Sequence, residues 1–448
     1  MLSGPLFLNI LLYTVPIILT SYLQLLFHAA DLVVVGQFCG SISLAAVGST
    51  GSIINLLTNL FIGLSVGAGV AVAHGLGSHS DTEVHNTIHT ALPIALFCGV
   101  LLTIIGLSFS EPLLRLMGTP DNVMPLSSVY MKIYFTGITF NLVYNYCASI
   151  LRAAGDTRSP LVFLSISGVI NVVLNVLFVK TFQMNVAGVA LATSISQGIS
   201  AILVVWVLMR RTDICRFEWK KMRFHKKQLI KILQIGLPAG IQGSLFAISN
   251  VTIQSSINSF GDVFMSGNAA ATNLEGFAYV SMNAFQQTAI NFIGQNAGAN
   301  QYKRVSRILQ ICLGCVTVLG LTIGICFYLF GPSLLSIYIT DSETAISYGM
   351  IRLMIADLPY FIYGLMDVST GALRGLGSSF IPMLISILGV CGLRIGWVYT
   401  IFQIPQFHTP ECLYLSYPIS WIITFLCQIT AFAIVYRKHI KACASRNT

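Results

Sequence analysis

Leu151-Arg152-Ala153-Ala154-Gly155, followed by Pro160, returns as Leu373-Arg374-Gly375-Leu376-Gly377, followed by Pro382; the two stretches stand 222 residues apart in a chain of 448. Pro16 and Pro238 share that spacing, and the pairs Gly77/Gly298 and Pro112/Pro332 come within two residues of it. An offset this constant across half the chain marks a tandem repeat. Each repeat is made of long apolar runs separated by short polar turns.

Composition places those runs in lipid. Charged residues make up 9% and hydrophobic classes 55% of the chain, against roughly 25% and 45–50% in soluble domains. The runs reach the ~20 residues a helix needs to cross the hydrocarbon core. Twelve can be counted, centred near Leu23, Phe61, Cys98, Phe140, Val169, Leu203, Phe246, Ala278, Gly320, Phe361, Gly389 and Phe425. The strict alternation of a membrane-spanning strand is absent, which argues against a barrel. The expected fold is an all-α polytopic membrane protein with two pseudo-symmetric lobes of six transmembrane helices: residues 1–209, a basic connector 210–231, and residues 232–448. Six helices per repeat keep both repeats in one orientation, related by an axis along the membrane normal. Long repeats of this kind build many secondary transporters.

The net charge of +9 suggests a nucleic-acid partner until the basic residues are located. Arg210, Arg211, Arg216, Lys220, Lys221, Arg223, Lys226, Lys227 and Lys231 all fall between the repeats. By the positive-inside rule that connector is cytoplasmic. The turns holding Arg152 and Arg158, or Lys303, Arg304 and Arg307, and the tail with Arg437, Lys438, Lys441 and Arg446, count onto the same side. Both termini are therefore expected in the cytoplasm. The opposite loops carry Glu111, Asp121, Asp262, Asp341, Glu343 and Glu411 but only Arg115 and Lys180. The first run, Leu6 to Val35, is too long for a cleaved signal peptide and reads as the first helix.

Enzyme motifs do not hold up. The 11 cysteines form no framework, and Cys312-Leu313-Gly314-Cys315, despite redox spacing, lies in an apolar helix and reads as packing. Gly63-Leu64-Ser65-Val66-Gly67 spells a hydrolase elbow, but that motif needs a strand-to-helix turn. Here, with Gly236-Leu237-Pro238-Ala239-Gly240 carrying the same glycine spacing in the second half, it reads as close helix packing through small residues. No metalloprotease motif, Walker loop or complete dinucleotide fingerprint occurs, so neither an enzyme nor a bound cofactor is expected.

Chemistry must then reside in ionisable groups within the spans, where an Asp or Arg costs ~2.5–3.5 kcal/mol on insertion scales. The candidates are Asp31, Glu275, Asp357, Asp367, Lys132, Arg352 and Arg394. Asp31 stands out because Pro16 lies fifteen residues before it on the same helix. A carboxyl on a helix that proline can bend suits a protonation switch; the alternative is a carboxylate facing water at the helix end. Asp357 and Arg394 are expected to pair with each other.

Gly4-Pro5, Pro16, Asp31 with Gly36, the turn Leu151 to Arg158, Asn171-Val172-Val173-Leu174-Asn175, Gly188 to Thr193, and Gly294-Gln295-Asn296-Ala297-Gly298-Ala299 together resemble the multidrug and toxic compound extrusion (MATE) transporters, most nearly their DinF-like bacterial branch. The likeness runs in order through both repeats. It implies two six-helix lobes in a bacterial plasma membrane and export of amphiphilic small molecules, chiefly cations, against protons or sodium ions. A lipid-linked precursor flippase of related fold is the alternative. A monomer is expected, with lipid and substrate as partners and no nucleic acid.

The resemblance further implies an ion-coupling cluster of Asp31, Asn171, Asn175 and Thr193, with Tyr130 nearby and Pro16 as hinge. The same four residues would hold a sodium ion if that were the coupling ion. This chain has Asn175 where relatives often have a second Asp, which tilts the reading toward protons. It has His28 where they often have Asn, three residues before Asp31 and on the same helical face; His28 is either a proton relay or a packed neutral ring. In the second lobe Glu275, Tyr279, Asn283, Gln287, Asn291 and Gln295 step by four and would line a polar substrate path with Asp367, or else bond to neighbouring helices.

Overall fold

The computed structural model describes residues 1–340 and 342–445; Asp341 and Arg446, both counted in the charge asymmetry, lie outside them. Among the described residues every regular element is helical. The first repeat forms α1 (Leu6–Phe38), α2 (Ser41–Gly77), α3 (Asp81–Leu116), α4 (Met124–Ala153), α5 (Arg158–Val176) and α6 (Asn185–Arg210). The second forms α7 (Lys226–Asn258), α8 (Asp262–Gly298), α9 (Tyr302–Leu335), α10 (Glu343–Arg352), α11 (Tyr360–Gly375), α12 (Phe380–Ser386), α13 (Leu393–Tyr399) and α14 (Pro410–Ala444). Three π-helical stretches interrupt this pattern: Leu177–Thr181 after α5, Leu353–Asp357 between α10 and α11, and Ile387–Gly392 between α12 and α13. With α10/α11 and α12/α13 each taken as one broken pass, there are twelve passes, and each apolar run of the sequence lies in one.

Hydropathy alone finds nine spans, or ten when the α10–α11 pair, bent by 43°, is included. α4 and α8 complete the set by length, at 30 and 37 residues. They are more polar because protein surrounds them: α4 packs against α2, α3 and α6, and α8 against α9, α10 and α11. A helix wrapped by others can carry groups that a lipid-facing helix cannot.

The repeat extends to the backbone. Gly155 (φ 94°) and Gly377 (φ 86°) end the two copies of the quoted motif in the left-handed region, which glycine adopts without steric cost. His79 (φ 51°) and Asn300 (φ 57°) form another matched pair of turns.

Contacts group the chain into two compact units. One is Val15–Ser244; the other joins Met1–Thr14 to the chain from Leu245 onward. The dividing points fall beside Pro16 in α1 and six residues past Pro238 in α7, so each long helix serves both units. In the first unit the two small-residue motifs face each other. A Cβ on Gly63 would run into the backbone of Gly240, and one on Gly67 into Ile232 and Gly236. The hydrolase-like motif is thus where α2 and α7 touch backbone to backbone. Cys312 and Cys315 are free thiols within α9.

The connector is docked rather than loose. His89, buried in α3, accepts Glu218 N–H at Nε2 (3.0 Å), while its Nδ1 donates to His85 O (2.8 Å). Its backbone oxygen takes Arg223 N–H (3.2 Å). Lys227 Nζ reaches Glu83 at 2.7 Å. Arg211 lies 2.6 Å from Asp213 and holds that carboxyl below its ordinary range.

Candidate functional site

In the first unit, α1, α2, α4, α5 and α6 enclose a cavity of about 340 Å³ whose lining includes Asp31, His28, Tyr130, Asn171 and Thr193. Asp31 is buried, 7% exposed. Its Oδ1 accepts the Nδ2–H of Asn175, and Thr193 Oγ1 stands 3.5 Å from its Oδ2. Asn175 Nδ2 also lies 3.3 Å from Asn171 Oδ1, and Asn171 Nδ2 is 3.4 Å from Thr193 Oγ1. The four residues expected to couple the ion are therefore one hydrogen-bonded group. One atom is left over: Asn175 Oδ1 is buried and has no partner among the described residues. His28 shares the cavity, as its spacing predicts, but forms no hydrogen bond with Asp31 among the described contacts. Asn55, Asn141, Tyr134 and Gln197 line the cavity too. None had been singled out, because a scattered amide in an apolar helix does not reveal which way it faces.

The second unit holds a smaller cavity of about 200 Å³, lined by residues from α7, α8, α11, α13 and α14 together with Arg352. Here the expected pairing is corrected. Arg352, not Arg394, carries the ion pair: its Nη2 and Nε lie 2.5 and 3.1 Å from Glu275 Oε2, and its Nη1 donates to Asn268 Oδ1 at 2.7 Å. Tyr360 OH completes the site at 3.4 Å from Glu275 Oε1. Asp357 is fully buried, and neither of its oxygens has a hydrogen-bond partner among the described residues. The pairing was misjudged because Arg352 and Glu275 are far apart in sequence while Asp357 and Arg394 merely look complementary. Lys132 is likewise no intramembrane base: half-exposed, it pairs with Glu111 at 2.9 Å.

Of the α8 row, Glu275 and Tyr279 line the second cavity. Beyond them the amides bond one another. Gln287 Nε2 donates to Asn283 Oδ1 (2.8 Å), Asn283 Nδ2 to Gln286 Oε1 (3.3 Å), and Gln286 Nε2 to Asp367 Oδ1 (2.5 Å). Asn283, Gln287 and Asp367 thus belong to a relay beside the cavity rather than to its wall. Gln286, which closes the relay, lies one residue off the step of four.

The π-helical stretches explain part of this geometry. One begins two residues after Asn175, another directly after Arg352 and the third ends two residues before Arg394. A π turn advances the helical register, and such turns recur at functional sites. No cluster of three or more His, Cys, Asp or Glu side chains able to hold a metal occurs among the described residues.

The family model MatE matches residues 16–177 and 238–400, once in each repeat. The chain is 26% identical over 437 residues to "Probable multidrug resistance protein YoeA" of Bacillus subtilis, covering 95% of this chain and 93% of that protein. It is 27% identical over 386 residues to "Probable multidrug resistance protein YpnP" of the same organism, covering 86% of each. Among solved structures, an outward-facing MATE-family transporter of the MOP superfamily superposes with a TM-score of 0.91 at 19% identity, covering 98% of both chains.

Proposed function

The chain belongs to the MatE family of membrane transporters, and from that premise we propose that it exports amphiphilic drugs or metabolites, cations among them, in exchange for protons bound at Asp31. It is a multi-pass bacterial membrane protein and not an enzyme. The reading includes a monomer with both termini in the cytoplasm.

The observation that carries this reading is Asp31 itself, a buried carboxyl with an amide donor bonded to it, open to a cavity large enough for a ring system. Asn175 turns its N–H toward the carboxylate. A sodium cage would need several oxygens turned inward instead, so the arrangement favours the proton. Protonation makes one Asp31 oxygen a donor. Asn175 can accept that proton only by turning its amide over, which brings the unpartnered Oδ1 to the carboxyl and takes Nδ2 away from Asn171 Oδ1. The carboxyl and its amide thus have two hydrogen-bonded arrangements, one per charge state, as an alternating cycle requires.

The test is ethidium accumulation in a pump-deficient host expressing this chain. Lower accumulation than in the vector control is expected. Unchanged accumulation of ethidium and related dyes, with the protein confirmed in the membrane, would overturn the reading.

His28 enters as a second titrating group. Its ordinary pKa of about 6.5 lies within the working pH range, and it shares a cavity with Asp31. In proteoliposomes with a fixed proton gradient, His28→Asn is expected to shift the profile of initial rate against external pH without stopping transport. Superimposable profiles would leave His28 as packing.

A further inference from the structure

The second cavity does not suit a cation. Two guanidiniums, Arg352 and Arg394, and one carboxylate, Glu275, line it. Glu275 forms its ion pair with Arg352, which leaves Arg394 without an ion pair among the described residues and the lining with one positive charge in excess. Asp357 does not offset it: that side chain does not line the cavity, and an ionised carboxylate so buried without a hydrogen bond is costly.

Arg394 is 95% buried, being 5% exposed. Its single hydrogen bond among the described residues runs from Nε to Ser420 Oγ at 3.0 Å. Its two Nη groups have none. The guanidinium carbon lies 4.1 Å from the centroid of the Tyr417 ring and 5.5 Å from that of Trp421, so the group rests against aromatic rings while its Nη donors have no hydrogen-bond partner among the described residues. A guanidinium presents those donors in a fixed fork that matches a carboxylate or phosphate. The rest of the wall is aromatic: Tyr360, Tyr363 and Trp421 stand with ring centroids 5.0–5.6 Å apart. Offset and edge-on contacts at such distances are those that flat rings prefer.

We propose that this cavity is a binding site for small aromatic organic anions, with Arg394 as the anion receptor and the tyrosine–tryptophan wall as the ring platform. The site goes beyond the export of cations through the first unit, and its polarity is opposite to that of Asp31. The test requires neither export nor a gradient, so failure of the ethidium experiment and failure of this one are separate results.

Titration calorimetry of the purified full-length protein in detergent at neutral pH would compare 2-naphthoate with its neutral amide and with 2-naphthylmethylammonium, with empty micelles as blank. The acid is expected to bind roughly tenfold or more tighter than the amide, as a charge-assisted hydrogen bond implies, and the ammonium weakest. Arg394→Gln should bring acid and amide to the same affinity, and Arg394→Lys should keep part of the preference. Equal binding of acid and amide by the unaltered protein would overturn the proposal, and so would a preference that survives Arg394→Gln. Should Arg394→Gln fail to fold, the order of the three ligands on the unaltered protein still decides.

Discussion

Proteoliposomes carrying Asp31→Asn are expected to move ethidium under an inward proton gradient no faster than protein-free vesicles, while the protein remains folded. The folded state survives because the new amide keeps the shape of the carboxyl. Its oxygen accepts the Asn175 N–H, and its nitrogen faces the Thr193 hydroxyl 3.5 Å away. The cycle stops because the residue no longer changes charge and so no longer favours one arrangement and then the other; a switch can shift only by the difference it makes between two states. Asp367→Asn should do less, since Asp367 ends the amide relay and lines neither of the two cavities described above. Normal transport by Asp31→Asn together with loss in Asp367→Asn would move the coupling site to the second unit. Monodisperse elution and an unchanged melting temperature are the controls.

The second large effect is on stability. Glu275→Gln leaves the Arg352 guanidinium in a buried site without its counter-charge, and breaking such a pair costs about 3–5 kcal/mol, a large part of a typical total stability. Asn268, which takes Arg352 Nη1 at 2.7 Å, and the Tyr414 and Tyr417 rings at 5.5 and 5.3 Å soften the loss, so the lower end of that range is expected. The double variant Glu275→Gln/Arg352→Gln removes both charges and should recover much of the melting temperature lost by the single one. Recovery would show that the penalty is the orphaned charge. If Glu275→Gln melts like the unaltered protein, the pair contributes no stability.

What could be read from the sequence and what could not divide along a physical line. The duplication and the spans are properties of one helix or of a repeat spacing and appear as expected, at Gly155 and Gly377 for example; close packing at Gly63 was expected too, but not that Gly240 would be what it meets. The grouping of Asp31 with Asn171, Asn175 and Thr193 was anticipated through a family resemblance, not from spacing. Partners between helices were missed, because nothing in one helix states the rotation of the next. Hence Glu275 met Arg352, and Gln286 met Asp367. The spacing Tyr360-Phe361-Ile362-Tyr363, and Tyr417 four residues before Trp421, was the available sign of an aromatic wall, since residues three and four apart share a helical face.

Contacts assign the head of α1 to one unit and the rest of that helix to the other, and they do the reverse for α7. Translation makes this a matter of timing. Met1–Thr14 leaves the ribosome long before the chain beyond Leu245 that it packs with, so the head of α1 can be seated only after those later residues are made. The first unit in turn stays open until synthesis has passed Ser244. Fragments produced by cutting the connector would each lack a segment held by the other, and neither would be a complete folding unit until the two met in the same bilayer.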